Sequence, residues 1–588
     1  MLADENLNDR VRKLLNAEEI LGDVAGWAWS WDNSGALGDN LSSKADEEFS
    51  MKITTKNFRA LILCSIVATL AACSGGSSGG GLGRVPPPPP GGGTDWQPGV
   101  FLDADTYFAQ CAAPRAGIDP ATGAPYPDVA GTILDENNFL RSFSNYIYLW
   151  YNEIVDRDPS LYNDPLTYFD LLKTTATTPS GADKDKFHFT YDTEEYFQLS
   201  QGGVSAGYGA NWAILSPTPP REIVVAYSEP NSPATDVGLI RGATVLEIDG
   251  FDINTNTQAG VDAINAGLFP ETGETHTFVV QDLGAANSRT IEMTAAEITN
   301  AMVQNVRVLD TPTGRVGYMT FNRHRAPAEE ALVNAVNLLN AGPGIDDLVL
   351  DIRYNGGGFL DIAGQLAYMI AGPAQTAGQT FELSQFNDKH PVTDPFTGAP
   401  LTPTPFHDET LGFDALPAGD PLPTLNLTRV FVLTGSETCS ASEAIMNGLR
   451  GVDFEVIQIG STTCGKPYGF YPVDNCGTTY FTVQLRGVNA KNFGDYTDGL
   501  FPGAPNSLDQ SELPGCSVAD DFTNPLGVAA EGRFAAALAY RDGQACPAVS
   551  GLGPTPGLSK TSGVLRPTDG VVYRSPFDSN RIMRQPQR

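Results

Sequence analysis

The chain has 588 residues, enough for two or three domains with substantial cores. It has 69 acidic and 36 basic side chains, and the basic ones form no continuous positive segment. This argues against a nucleic acid, with its negatively charged backbone, as the partner. The excess of negative charge instead favours solubility and repels other acidic surfaces.

The first predicted feature is an export signal that begins inside the chain, at Met51. M-K-I-T-T-K-N-F-R-A-L-I-L-C-S-I-V-A-T-L-A-A-C has a basic start, a short apolar run and small residues before Cys73. The apolar run, 60–72, is too short to span a bilayer. We therefore expect residues 1–50 to be a mis-annotated extension and residues 51–72 to be a cleaved signal peptide. The ending L-A-A-C resembles the bacterial lipobox, which implies that Cys73 is lipidated and anchors the protein to a membrane of the cell envelope, exposed to the periplasm or the cell surface.

Residues 73–97 follow as a linker rich in glycine, serine and proline, which cannot pack into a core. Beyond it lie six cysteines, which permit fifteen complete pairings between which the sequence does not choose. They are Cys111, Cys439, Cys464, Cys476, Cys516 and Cys546. No cysteine or histidine spacing matches a metal site, so we expect neither a metal nor another cofactor.

Residues 98–202 are predicted to form a mostly helical N-terminal domain. Apolar and aromatic residues recur at intervals of three and four in L-D-E-N-N-F-L-R-S-F-S-N-Y-I-Y-L-W-Y, which indicates a helix face packed on a core. Pro159, Pro165 and Pro179 are expected to interrupt the later helices.

Residues 203–300 change to short strand-like runs punctuated by glycine and proline. The segment resembles a PDZ domain of the bacterial protease type, through Gly207-Tyr208-Gly209, through S-P-A at the start of a short helix, and through G-L-I-R-G followed by V-L-E-I-D-G. Ala243 stands where that family usually has aspartate. The resemblance implies that Gly207, Tyr208 and Gly209 form a loop that binds the C-terminal carboxylate of a peptide, which adds a strand to the sheet edge. An unrelated small β domain is the alternative.

Residues 301–545 alternate between strands and helices, which predicts a sheet with helices on its faces and functional residues at the strand ends. The run L-V-L-D-I-R ends in Y-N-G-G-G, and R-V-F-V-L-T-G leads into T-C-S-A-S-E-A-I-M-N-G-L. Ser440 and Glu443 have the spacing of a helix capping box. A serine at a strand-to-helix turn is also where acyl-transfer nucleophiles lie. One helix and one strand later comes Lys466, and because consecutive strands are usually neighbours, Lys466 is expected near Ser440. Residues 546–588 form a tail to which we assign no role.

These motifs together resemble the C-terminal processing, or tail-specific, serine peptidases. The residues that carry the resemblance are S-A-S-E, the Gly-Lys pair at Lys466 and D-I-R-x-N-x-G-G, in a chain with the same domain order. The resemblance implies an α+β multidomain fold with a helical N-terminal segment, a PDZ-like β domain and a ClpP/crotonase-like α/β catalytic core. It implies Ser440 as nucleophile, Lys466 as general base, and an oxyanion hole from the Ala441 amide and from Gly357 or Gly358. One departure is Phe470, where the family usually has a glutamine that orients the lysine, so that Tyr468 or a distant polar residue would take that role.

The sequence thus predicts a peptidase that acts on exported proteins or peptides with free C-termini. The alternative is a catalytically weak relative that binds polypeptide tails as a scaffold. The five histidines are interpreted as solvated surface residues rather than bases. Because Cys439 and Cys464 flank the two catalytic candidates, a disulfide between them is a further hypothesis, with free thiols as the alternative.

Overall fold

The computed structural model of the chain describes residues 96–119, 122–504, 507–547 and 581–583. The predicted extension, signal peptide and Cys73, nearly all of the linker and most of the tail lie outside these ranges. Within them, no helix combines the length and the apolarity that crossing a bilayer requires.

The segment before residue 203 is less helical than predicted. Prolines are one reason, since Pro165 can only start a helix, where Asp164 caps the chain, and Pro159 begins a single 3-10 turn. The longest helix, α1, is held by a Thr132–Asp135 capping box. The elements described here are α1 (Ile133–Ile147), α2 (Pro165–Phe169), α3 (Thr193–Gly202), β1 (Gln110–Cys111), β2 (Val129–Ala130) and β3 (Phe189–Asp192).

The next segment is a small β structure, as the short strand-like runs predicted. In the described chain, β5, β6, β7, β9 and β10 form an antiparallel sheet in the order β10-β9-β7-β6-β5, β8 pairs with β7, and β4 pairs with β11. The strands are β4 (Val204–Gly207), β5 (Ala210–Ser216), β6 (Glu222–Ser228), β7 (Thr244–Ile248), β8 (Phe251–Asp252), β9 (Thr275–Gln281), β10 (Arg289–Thr294) and β11 (Ala296–Thr299). The helices are α4 (Pro233–Asp236) and α5 (Gln258–Leu268).

The remaining described residues are organised around a larger sheet of order β12-β13-β14-β18-β19-β25-β24, parallel except for the β12/β13 pair. Its strands are β12 (Val303–Thr311), β13 (Gly314–Phe321), β14 (Asp347–Asp351), β18 (Arg429–Thr434), β19 (Glu455–Gly460), β24 (Phe501–Gly503) and β25 (Glu512–Ser517). The helices are α6 (Ala328–Leu339), α7 (Leu360–Ala371), α8 (Pro373–Thr376), α9 (Ala441–Gly451) and α10 (Gly532–Arg541). Smaller pairings use β15 (Gly358–Phe359), β16 (Thr380–Gln385), β17 (Thr404–Pro405), β20 (Tyr468–Gly469), β21 (Val473–Asn475), β22 (Thr478–Phe481), β23 (Leu485–Val488) and β26 (Arg581–Ile582).

Both faces of the large sheet are covered, which explains why its central strands are continuous apolar runs. Alternate residues such as Leu350 and Val432 pack with α6, α7 and α9 on one face. Their neighbours in sequence, such as Val349 and Phe431, pack with α10 on the other. The chain is therefore a mixed α/β protein with separate smaller and larger sheets.

The parallel register brings three loops to one edge of the large sheet. β14, β18 and β19 are adjacent and parallel, as the rule of consecutive strands predicted. The loops 352–358, 435–440 and 461–466 follow their carboxyl ends. These loops contain four of the predicted catalytic residues, Gly357, Gly358, Ser440 and Lys466.

Candidate active site

Ser440 lies at a strained turn between β18 and α9. Its φ of 62° and ψ of −112° place a non-glycine residue in the left-handed half of backbone space. Such strain persists only where the surroundings impose it, and it is concentrated at functional sites. Here the Cys439 N–H and the Ser442 hydroxyl, on either side of the serine, both donate to the Asn355 carbonyl oxygen, at 3.1 and 3.0 Å. The turn is thereby fastened to the loop that follows β14.

Glu443 joins the serine turn to the lysine loop. Its Oε2 accepts the N–H groups of both Ser440, at 2.8 Å, and Lys466, at 2.9 Å. Its Oε1 accepts the Gly465 N–H at 2.9 Å and the Thr463 hydroxyl at 2.6 Å. Burial raises the pKa of Glu443, and these hydrogen bonds oppose that rise. The capping contact expected from S-x-x-E exists, but the same carboxylate also fixes the backbone of Lys466. The sequence analysis did not foresee this second role.

A disulfide between Cys439 and Cys464 closes the same junction, with Cα atoms 5.1 Å apart. This confirms the hypothesis that the two thiols pair. Cys111 bonds to Cys476 and Cys516 to Cys546, a choice that the sequence left open. Among the described residues, Cys439, Glu443 and Cys464 are grouped closely enough to suggest a metal site. With both sulfurs in a disulfide they offer no thiolate, so this group does not fit a metal.

The Lys466 amine is enclosed by aromatic rings. The side chain is fully buried, and Nζ lies 4.6 Å from the ring centroids of both Phe187 and Phe470. Phe470, the departure from the family pattern, thus contacts the lysine through its ring where a glutamine would offer an amide. Tyr468 is buried with its ring against Trp150, 4.8 Å between centroids.

The glycine loop after β14 approaches the serine turn through Asn355. Gly357 and Gly358 have φ values of 106° and 134°, and a Cβ on Gly358 would collide with the His324 carbonyl oxygen. The Gly357 N–H donates to Asn355 Oδ1 at 3.0 Å. This hydrogen bond lies within the loop, so the Gly357 N–H does not face a substrate oxygen. Of the two glycines predicted for the oxyanion hole, Gly358 is therefore the better candidate. The Ala441 amide, in the first turn of α9, has no acceptor within its own helix.

The surface interpretation of the histidines is wrong for His188, His324 and His390, which are all buried. His324 Nδ1 lies 3.0 Å from Asn355 Oδ1, and burial lowers the pKa of His324 to about 3. The imidazole is therefore neutral at ordinary pH and supports the glycine loop. The polar neighbours of His324 in F-N-R-H-R suggested that it is exposed. Its partner Asn355 follows another strand, so nothing in the local sequence around His324 indicated the contact.

A cleft of about 370 Å³ runs from the smaller sheet to the glycine loop. The residues that line it include Gly207, Tyr208, Gly209, the start of β5, the end of α5 and Gly356 to Gly358. Carbonyl oxygens of the Tyr208-Gly209 turn accept N–H groups of Ala234 and Glu229, at 2.9 and 2.7 Å. The structure thus brings the predicted peptide-binding loop and the predicted oxyanion loop onto one cleft. Ser440, Ala441 and Lys466 are buried in the adjoining core.

Part of the chain is similar to known peptidases. Residues 315–476 match the model of peptidase family S41. A Bacteroides fragilis NCTC 9343 protein assigned to the S41 proteases is similar in structure, with a TM-score of 0.50 and 20% identity over 71% of this chain and 98% of that chain. A photosystem II D1 C-terminal processing protease aligns with a TM-score of 0.38 and 19% identity, over 69% of this chain and 100% of its own. No curated relative matches the sequence significantly.

Proposed function

We propose that the chain, whose residues 315–476 match the model of peptidase family S41, is a serine-type peptidase that cleaves polypeptides with a Ser440–Lys466 dyad after binding their C-termini. The observation that carries the proposal is the carboxylate oxygen of Glu443 that accepts both the Ser440 and the Lys466 N–H. One oxygen atom thereby joins the backbones of the two residues of the proposed dyad.

In this mechanism neutral Lys466 removes the Ser440 hydroxyl proton as the oxygen attacks a peptide carbonyl carbon. The amine returns that proton to the leaving nitrogen, and water then hydrolyses the acyl-enzyme. The amides of Ala441 and Gly358 would stabilise the oxyanion, each by about 3 to 4 kcal/mol if they resemble donors in other hydrolases.

The environment of Lys466 contains opposing effects on its charge. Aromatic faces favour the ammonium form by roughly 2 kcal/mol when the contact is desolvated. Removing an ammonium from water costs several kcal/mol, even after relaxation of the protein. The mechanism requires the neutral amine, and the complete burial of the side chain supports that requirement.

The smaller sheet would act as a PDZ-like domain that recognises the substrate. The cleft between β5 and the end of α5, headed by Gly207, Tyr208 and Gly209, suits a peptide that adds to β5. Its continuity with the Gly358 loop supports delivery of the bound chain to the dyad. The substrates would be proteins or peptides of the cell envelope, reached by an enzyme tethered to its membrane through Cys73.

An assay of full-length protein against an unfolded reporter with an apolar C-terminus tests the dyad. Ser440→Ala and Lys466→Ala should each reduce kcat by about 10³-fold or more, as in other nucleophile–base pairs. Lys184→Ala removes a lysine paired with Glu153 and should leave cleavage unchanged.

Retained cleavage in either dyad variant would disprove the assignment. If the wild type and the variants were equally inactive yet bound the reporter, the protein would be a binding scaffold rather than an enzyme. Phe470 favours that alternative.

A further inference from the structure

The short strand β26 lies beside the glycine loop that follows β14, although the two segments are remote in sequence. It pairs in parallel with β15, so that Arg581 is opposite Gly358 and Ile582 opposite Phe359. On its other side Ile582 forms a bridge with Phe470, and the Met583 N–H donates to the Phe470 carbonyl oxygen at 3.1 Å. The segment is thus inserted between the oxyanion-loop candidate and the chain that follows Lys466.

The contacts of this segment are those of a bound peptide. Backbone pairing on both sides supplies affinity without regard to sequence, while a pocket selects a side chain. Ile582 is 2% exposed and belongs to the same apolar cluster as Phe359 and Phe470. It also lines the cleft that begins at the Gly207 loop. The space between β15 and Phe470, here called the strand site, therefore suits an extended peptide with an aliphatic side chain.

We propose that β26 is an intramolecular competitor that occupies the strand site of the substrate next to the dyad. The proposal rests on the proposed function for the identity of that site. It implies that substrates place an aliphatic side chain where Ile582 lies. It also implies that the resting enzyme is limited by release of this segment, because only the fraction with an open site binds substrate.

The test compares full-length Ile582→Asp with wild type and with Ile582→Leu. A buried carboxylate should expel the segment, so that kcat/KM for a reporter peptide rises by about tenfold or more, while the leucine variant stays near wild type. Unchanged or lower kcat/KM in a folded Ile582→Asp variant would overturn the proposal.

A binding measurement separates this proposal from the proposed function. A fluorescent peptide of residues 577–588 should bind full-length Ser440→Ala/Ile582→Asp at least about tenfold more tightly than Ser440→Ala, whose own segment fills the site. Equal affinities would overturn the proposal, whereas tight binding without any proteolysis by wild type would remove only the proposed function. Intact-mass measurement gives a further outcome. If wild type loses residues 581–583 and Ser440→Ala keeps them, the segment is a substrate and the proposal that it is a competitor is overturned.

Discussion

Glu443 accepts hydrogen bonds from the backbone of both catalytic candidates, besides those from Gly465 and Thr463. A capping glutamate normally serves only its own helix. Here loss of the carboxylate would leave buried N–H donors unpaired in two loops at once. Loss of the Glu443 carboxylate should therefore disturb the alignment of Ser440 with Lys466 and also lower the stability of the protein.

Replacement of Glu443 by Gln keeps one acceptor oxygen and turns an NH₂ group toward N–H donors. We expect kcat to fall by about 10²-fold, the order produced by small misplacement of a catalytic group, with KM little changed. The free energy of unfolding should fall by about 1 to 3 kcal/mol for each donor left unpaired. Steady-state kinetics and urea unfolding measure both quantities.

Asp164→Ala is the matched control for this residue, because Asp164 also caps a helix through its side chain but does so at α2. It should lower stability by about 1 kcal/mol without lowering kcat. If Glu443→Gln likewise affected stability alone, the positioning role would be refuted.

At the level of elements, a buried ionic network connects the smaller sheet segment to the loop after β14. Arg241, between α4 and β7, donates to the Tyr354 hydroxyl at 2.7 Å and to Asp520 at 2.6 Å. Arg353 donates to the same carboxylate and to Glu531, both at 2.7 Å. Burial by itself would raise the pKa of Asp520, but Arg533, Arg353 and Arg241 hold it well below its usual value.

The sign of this shift predicts sensitivity to acid. A carboxyl group whose pKa is depressed by folding contributes stability that is complete above its unfolded pKa, near 4, and is lost as the pH falls further. Urea unfolding of wild type should therefore show stability decreasing below about pH 4. Asp520→Asn should be less stable by about 3 to 5 kcal/mol at pH 7, because buried arginines lose a partner, and the difference from wild type should shrink in acid.

Asp310→Asn provides the comparison, since Asp310 pairs with Arg315 but is 85% exposed. Such a pair is worth at most about 1 kcal/mol. A constant difference between Asp520→Asn and wild type across pH 3 to 7 would contradict the assignment of the acid effect to Asp520.

For the whole molecule, the disulfides allow stability and catalysis to be separated. Cys439–Cys464 and Cys516–Cys546 close loops of similar length, with sequence separations of 25 and 30. The double variants Cys439→Ala/Cys464→Ala and Cys516→Ala/Cys546→Ala should each lose about 3 kcal/mol of stability by the loop-entropy estimate. Only the first should also reduce kcat, because only that bond joins the serine turn to the lysine loop. Equal kcat in the two double variants would show that Glu443 is sufficient to hold the junction.

Local pattern predicted the central strands and the contact between the serine and lysine loops, since apolar runs fix buried strands and consecutive strands are neighbours. It did not reveal the second role of Glu443, because S-x-x-E looks the same whether or not a distant loop donates to the carboxylate. The burial of His324 and the place of β26 were missed for the same reason. Their partners, Asn355 and Phe470, are remote in sequence, and each short segment carries too little information to indicate them.

The Cys111–Cys476 bond joins positions 365 residues apart in sequence. The whole smaller sheet and most strands of the large one lie between them along the chain. A single cut of the backbone anywhere between those two cysteines leaves both fragments covalently attached. Nicked protein would therefore migrate as one species on a denaturing gel until a reductant is added. A purity check without reductant would therefore overlook such cuts.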